Sequence, residues 1–307
     1  MRNAFAAELL ELVKEDCRLV ILSADIGNRM FDQHKDYAPD RFYNCGVAEA
    51  NMISLASGLA LSGMIPVAYT ITPFITVRCL EQIKIDICYH NVPVILIGTG
   101  SGLSYAELGP THHSLDDLAL LRALPNMTVL APGDPVEAKL ALRAAVELNK
   151  PVYIRIGKKG EPVVHHSLPE FKIGQGIVLT PGRDVCLIST GNLLPEAVEA
   201  AEKLGKRKIS AQVTSFHTIK PLDQELLKDI FSKFKLIVTI EEHGLIGGLG
   251  GAVAEWAADH GVKDRSIVRC GIPDRFLHKV GSQENYRKEF GLTATAISER
   301  IIKELAK

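Results

Sequence analysis

The sequence predicts an α/β protein of two domains, each a mostly parallel sheet with helices on both faces. Three observations predict it. Apolar, strand-like runs alternate with helix-period segments along almost the whole chain, the β-α-β order of parallel sheets covered by crossover helices. At 307 residues the chain exceeds what one hydrophobic core usually organises, so two cores are the natural division. The alternation lapses once, between Gly157 and Gly182, in a stretch rich in Gly, Pro, Lys and His, which reads as an interdomain linker. The expected boundaries are 1–157 for the first domain, 158–182 for the linker and 183–307 for the second domain.

The elements follow in order. An amphipathic helix opens the chain, carrying Glu8, Glu11, Glu15 and Asp16. Acids this early are unlike a signal or transit peptide. Residues 18–23, 65–69, 92–98, 127–131 and 152–156 read as strands. Small and apolar residues over 53–63 predict a buried helix, and helix-period patterns follow over 76–90, 114–124 and 134–148. Asp134-Pro135 fits an N-cap followed by proline at the first helical position. In the second domain 184–189, 210–215, 236–241 and 266–270 read as strands. The helices there are expected over 195–204, 223–233, 248–260 and 293–303.

Composition narrows the function classes. Hydrophobic residues make up 47% of the chain, charged residues 23%, and net charge is −1. That is ordinary globular composition, without the basic field of a nucleic-acid binder. No apolar run reaches membrane-spanning length. The six cysteines, at 17, 45, 79, 88, 186 and 270, form no Cys-x-x-Cys pair. They read as reduced thiols of a cytoplasmic protein.

Four segments carry chemistry. In Gly46-Val47-Ala48-Glu49-Ala50-Asn51-Met52 an acid opens the small-residue helix. It is either an acid stabilised by the helix dipole or a buried carboxylate in need of a partner, since no basic residue lies close in sequence. Tyr69 and Phe74 follow at and beyond the end of the next strand. They are core aromatics, or Phe74, paired with Glu49, grips a flat nitrogen heterocycle, ring on ring and acid on ring nitrogen. Leu108-Gly109-Pro110-Thr111-His112-His113-Ser114 places two histidines on a turn beyond a strand end, where ligand sites of α/β sheets gather. No matching acid or cysteine spacing makes them a metal site, and a solvated loop is the plain alternative. Ser23-Ala24-Asp25-Ile26 ends the first strand, with Asp25 either an N-cap or a site residue. A glycine run over 244–251 fails the dinucleotide spacing and lacks a P-loop lysine. Close helix–strand packing is favoured there over anion binding.

These segments together resemble the thiamine-diphosphate enzymes of the transketolase family over nearly the whole chain. Gly109-Pro110-Thr111-His112 is similar to that family's Gly-Pro-Thr-His-Gln, with His113 in place of the Gln. The runs 218–223 (Thr-Ile-Lys-Pro-Leu-Asp), 238–243 (Val-Thr-Ile-Glu-Glu-His) and 271–274 (Gly-Ile-Pro-Asp) resemble the C-terminal domain of transketolase and 1-deoxyxylulose-5-phosphate synthase. The resemblance implies a pyrimidine-binding first domain and a second domain that mainly supports dimerisation. It implies that Glu49 contacts the aminopyrimidine and assists ylide formation, that Phe74 stacks on it, and that Tyr69 borders the pocket. Arg78 is expected to face the cofactor pocket or a partner subunit. Asp25 is expected near the thiazolium, and Ile26 props the cofactor's bent shape. His112 reaches donor-sugar hydroxyls and moves protons at the reacting carbon, beside His113.

Arg2 and Arg155 match the family's phosphate-binding arginines, and Arg29 falls near a phosphate-contacting serine. Leu108 replaces a hydroxyl-reading aspartate, and Gly100 a phosphate-contacting histidine. An arginine fork suits phosphate, sulfonate or carboxylate alike. The family's Gly-Asp-Gly…Asn segment, which holds diphosphate and Mg²⁺, does not occur in the sequence, and no residue here is assigned to metal. The resemblance therefore implies the C-terminal half of a split transketolase, moving a two-carbon ketol unit between anionic sugars. A separate N-terminal chain would supply the diphosphate and Mg²⁺ site in an α2β2 heterotetramer, with no nucleic-acid or membrane partner. The alternatives are a β subunit of a 2-oxo-acid dehydrogenase first component and a non-catalytic scaffold.

Overall fold

The structure is a computed structural model describing residues 1–279 and 281–307, with the backbone alone at Asn28. Its strands are β1 (Leu19–Ser23), β2 (Phe42–Asn44), β3 (Ile65–Ile71), β4 (Ile95–Thr99), β5 (Thr128–Leu130) and β6 (Val152–Ile156), then β7 (Ile177–Thr180), β8 (Val185–Ser189), β9 (Ala211–Ser215), β10 (Thr218–Lys220), β11 (Leu236–Gly244) and β12 (Ser266–Ile272). They form a seven-stranded sheet in the order β10-β5-β6-β4-β3-β1-β2 and a five-stranded sheet in the order β12-β11-β8-β9-β7. Pairings are parallel except at two edges, β10 on β5 and β7 on β9. Two mostly parallel sheets flanked by helices are the expected fold class. No helix among the described residues is long and apolar enough to cross a membrane.

Central strands are buried along their whole length, so they read as continuous apolar runs rather than alternating ones. Successive side chains still divide between the two sheet faces. Ala68 packs with Met52, Ile53 and Ile75 on one side of the first sheet. Its neighbour Tyr69 packs with Phe5, Leu9 and Phe31 on the other. Helix starts follow the sequence signals closely. Asp134 accepts from the Glu137 N–H, with Pro135 at the first helical position. Asp223 caps Gln224–Lys233 and Thr293 caps Ala294–Leu305 in the same way. Such caps contribute about 1 kcal/mol each.

Three departures matter. The helix expected over 76–90 is broken into a short helix Thr72–Ile75, a 3₁₀ turn Val77–Cys79, a turn Leu80–Gln82 and a π-helical run Ile83–Tyr89. Side chains compete for its carbonyls: Thr76 Oγ1 donates to Thr72 O (2.7 Å) and Cys79 Sγ to Phe74 O (3.2 Å), a local alternative to regular helix. The stretch read as linker contains β7, which pairs with β9, so the second sheet begins at Ile177. Gly and Pro on either side concealed this short edge strand. The domains also interlock. β10 comes from the second half of the chain yet completes the first sheet, and Ile219 shares a core with Leu121 and Val129.

Candidate cofactor and substrate site

The site forms at the carboxyl ends of β1 and β3. Beyond β1 the chain turns at Asp25, whose φ of 53° is left-handed. Asn44, at the end of β2, holds that turn from both sides. Its side chain accepts from the Asp25 N–H (3.1 Å) and donates to Asp25 Oδ1 (3.0 Å). The same Asn44 oxygen accepts from the Gly46 N–H (3.0 Å), which aims the chain into helix Glu49–Leu61. Asp25 is therefore not an N-cap; its carboxylate is held by Asn44. Sequence reasoning missed Asn44, because a three-residue strand gives too little periodicity to mark its end. Ile26 is half-buried; its carbonyl accepts from Ser23 Oγ (2.6 Å), and it packs against the Phe31–Tyr69 cluster.

Glu49 lies in the first helical turn and is only 3% exposed. Its partner is Arg78, 29 residues further on, whose Nη1 donates to Glu49 Oε2 at 2.7 Å. The same guanidinium lies over the Phe74 ring, 4.2 Å from its centroid. The His112 ring meets Phe74 edge-on, at 5.1 Å between centroids and 69° between planes. Glu49, Phe74, Arg78 and His112 thus converge from three separate segments. The broken helix after β3 makes this possible, since it sets Phe74 and Arg78 on one side.

Arg78 provides a test of fit for a nitrogen base. Its guanidinium is flat, hydrogen-bonds a carboxylate and stacks on an aromatic face. Those are the two contacts an aminopyrimidine would need. The Arg78 side chain is 45% exposed, so solvent reaches it on the side away from Glu49 and Phe74. Burial, then His113 and Arg78, hold the His112 imidazole below its ordinary range. Its neutral form, able to accept a proton, is favoured. Thr111 Oγ1 lies 3.0 Å from His112 Nδ1.

Other expected site residues lie elsewhere. Tyr69 does not border this group; it is fully buried on the opposite sheet face, stacked on Phe5 and edge-on to Phe31. Burial pushes its hydroxyl up to about 12. His113 turns away from His112: it is buried, with Nε2 3.3 Å from the Ala106 carbonyl. Arg155 is not available to a substrate anion. It is 3% exposed, donates to Ser114 O (3.2 Å) and Glu242 O (3.1 Å), and sits 3.3 Å from Asp117. Arg2 is half-buried, with its Nε buried, and Arg29 is exposed. Leu108 is 50% exposed at the tip of its loop. Gly100 has φ +83°, and a Cβ there would fall 2.1 Å from the Tyr105 ring. No larger residue fits that position while the ring occupies it.

The glycine run over 244–251 also resolves. The N-terminus of helix Leu249–Asp259 binds an anion, but the anion is the protein's own Glu241. Its carboxylate accepts from the Leu249 and Gly250 N–H groups at 2.7 Å each. Close packing of helix on strand is therefore the role of these glycines. Among the described residues no group of three or more His, Cys, Asp or Glu side chains is placed to hold a metal ion.

Comparison with known proteins identifies the family of both domains. Residues 1–161 match the transketolase pyrimidine-binding domain, and residues 174–297 the transketolase C-terminal domain. The chain is 36% identical to one subunit of an apulose-4-phosphate transketolase of Actinobacillus succinogenes, covering 97% of this chain and 96% of that one. It is 34% identical to a 6-deoxy-6-sulfo-D-fructose transketolase subunit of a Clostridium species, covering 97% and 92%. A solved structure described as a split-gene transketolase in an inactive β4 tetramer superposes with a TM-score of 0.89 at 35% identity, covering 99% of this chain and 97% of that one. With both domains matched in order along nearly its full length, the chain belongs to the transketolase family.

Proposed function

We propose that this chain is the C-terminal subunit of a thiamine-diphosphate-dependent transketolase, and that a separate chain supplies the diphosphate and Mg²⁺ site. The observation that carries the proposal is the convergence of a buried acid, an aromatic face and a neutral histidine at Glu49, Phe74 and His112. Thiamine diphosphate, when bound, supplies a carbon nucleophile that no side chain can supply. Glu49 would hold a proton at the pyrimidine nitrogen, and Phe74 would fix the ring plane. His112 would hold a donor hydroxyl and accept its proton.

The reaction is transfer of a two-carbon ketol unit from a ketose to an aldose. Anionic sugars are the favoured substrates, with Arg29 and Arg2 toward the anion and Arg155 bracing the fold instead. Support comes from the two relatives, whose names carry a sugar phosphate and a sulfo-sugar. Both relatives are named as subunits of a transketolase, and the β4 tetramer is described as inactive, as a chain lacking its partner would be. The partner arrangement we favour is α2β2.

Calorimetry with thiamine diphosphate and Mg²⁺, on this chain alone and mixed with a chain carrying Gly-Asp-Gly…Asn, tests the proposal. The expected result is tight binding and ketol transfer in the mixture only. Micromolar affinity and ketol transfer by the isolated chain would overturn the split arrangement.

A further inference from the structure

We infer that Glu242, in the second domain, is a positioning residue for the loop that presents His112; this deepens the reading of His112 given above and rests on it. The loop leaves β4 and closes on itself where the Ser114 N–H donates to Gly102 O at 2.9 Å. Between those residues it carries the tip at Leu108 and then His112. Its base is tied to its own domain where the Gly100 and Ser101 N–H groups donate to Ile156 O (2.9 and 3.0 Å), but its apolar side chains pack on the other domain. Leu103 and Ala106 are fully buried and belong to the core of the second domain, among Leu187, Val238 and Ile240.

Glu242 fixes that base. It is 1% exposed at the end of β11. Its Oε1 accepts from the Leu103 N–H (2.7 Å), Asn192 Nδ2 (3.1 Å) and Gln283 Nε2 (2.7 Å), and its Oε2 accepts from Arg287 Nε. A buried carboxylate with this many donors, one of them cationic, makes strong and directional bonds. From Leu103 a chain of contacts continues to the site. The Leu103 carbonyl accepts from the Ala106 N–H at 2.9 Å. The Ala106 carbonyl lies 3.3 Å from His113 Nε2, and His113 adjoins His112. The His113 ring also meets Tyr286 of the second domain, 6.0 Å between centroids. Gly102 records how close the approach is. Its φ is +60°, and a Cβ there would fall 2.4 Å from Glu242 Oε1.

A residue that merely ties two domains together would use its carboxylate on side chains of the neighbouring domain. Glu242 instead directs one bond to a single backbone N–H, the one that starts the His112 loop. The second domain therefore does more than the support in dimerisation expected of it: it sets the histidine's position.

The test compares Glu242→Gln with Asn192→Ala by hydrogen exchange and histidine NMR on the full chain, with no activity needed. In Glu242→Gln, one of the donor-facing positions becomes an NH₂ group, and exchange over 103–114 should quicken by about tenfold or more. The His112 titration should move up toward its ordinary range as the loop loosens. Asn192→Ala removes a donor on the second-domain side only, and should leave loop exchange within about twofold. In the assembled complex Glu242→Gln should lower kcat more than it changes cofactor affinity. Equal loosening of the loop by both variants, or loss of Tm in Glu242→Gln with unchanged exchange over 103–114, would overturn the inference. If the complex shows no ketol transfer at all, the proposed function fails, while the exchange and titration results still decide the role of Glu242.

Discussion

Two buried glutamates, each paired with an arginine, behave as opposites in this molecule. Glu49 is 3% exposed, and its partner Arg78 is 45% exposed. Glu242 is sealed, its partner Arg287 is 16% exposed, and three further donors share its carboxylate. One acid has a single partner on a long side chain half in solvent, so a ligand can take that partner's place. The other draws its donors from three places, the loop at Leu103, the turn at Asn192 and the helix that carries Gln283 and Arg287, so no single displacement frees it. Burial of an acid alone does not identify a site; the exposure of its partner separates these two.

The largest expected effect separates the two acids by activity. Glu49→Gln preserves shape and a hydrogen bond but cannot share a proton with a ring nitrogen. Turnover of the assembled complex should fall about 10²–10⁴-fold, the usual range for an acid–base group, with cofactor affinity changing less. Hydrogen–deuterium exchange at the thiazolium carbon isolates this step from sugar binding. Wild-type exchange in the variant would leave Glu49 as a helix-terminus acid and erase the contrast.

The next separates them by stability. Glu242→Leu strands the buried Leu103 N–H and takes from Arg287 its shortest carboxylate contact, and breaking one side of a buried pair costs up to about 3–5 kcal/mol. Glu49→Leu frees a half-exposed arginine into water, at about 1 kcal/mol or less. Urea denaturation of the full chain measures both. Equal losses would mean that the Glu49 pair is as structural as the other.

How much of this was legible in the sequence follows the same division. Both mostly parallel sheets were readable, because fully buried strands produce apolar runs and the Asp134-Pro135 helix start is a local signal. Glu49, Phe74 and His112 were readable as candidates from short motifs. Their meeting was legible only from the closeness of Glu49 and Phe74 in sequence and from the family resemblance; the direct pairing of Arg78 with Glu49 across 29 positions was not, because no periodicity encodes such a contact. Tyr69 was misplaced because strand alternation puts it on the far sheet face from Ala68, and a one-residue shift reverses that assignment. Arg155 was misplaced because its partners Asp117, Ser114 and Glu242 come from loops and the other domain. β7 and β10 were missed as edge strands of three or four residues, too short for pattern to register.

A smaller effect sharpens the idea of an exchangeable partner. If the Arg78 guanidinium occupies the place of a nitrogen base, each binding event must first displace it. Arg78→Leu should then tighten thiamine diphosphate binding by the assembled complex about 3–10-fold, by raising the binding-competent fraction. Calorimetry on wild type and variant measures this. Weaker binding in Arg78→Leu would make the arginine part of the cofactor's cradle rather than its stand-in.

A third buried glutamate, with a partner that can lose its charge, gives the smallest effect. Glu137 is fully buried, accepts from the Gly133 N–H (2.6 Å) and lies 2.8 Å from His165 Nε2. The pair fastens the chain beyond β6 onto helix Pro135–Leu148. Burial lowers the His165 titration, but the hydrogen bond and charge of Glu137, with the charge of Asp134, outweigh it, and the net direction is upward. A histidine raised on folding contributes stability that is complete below its unfolded value near 6.5 and is lost as pH rises through the folded value. His165→Gln should therefore cost more at pH 5.5 than at pH 8.5. Urea midpoints of both proteins at the two pH values measure it. A cost independent of pH would show that the imidazole is held neutral throughout, and would place this acid with Glu242, among carboxylates whose partners never change state.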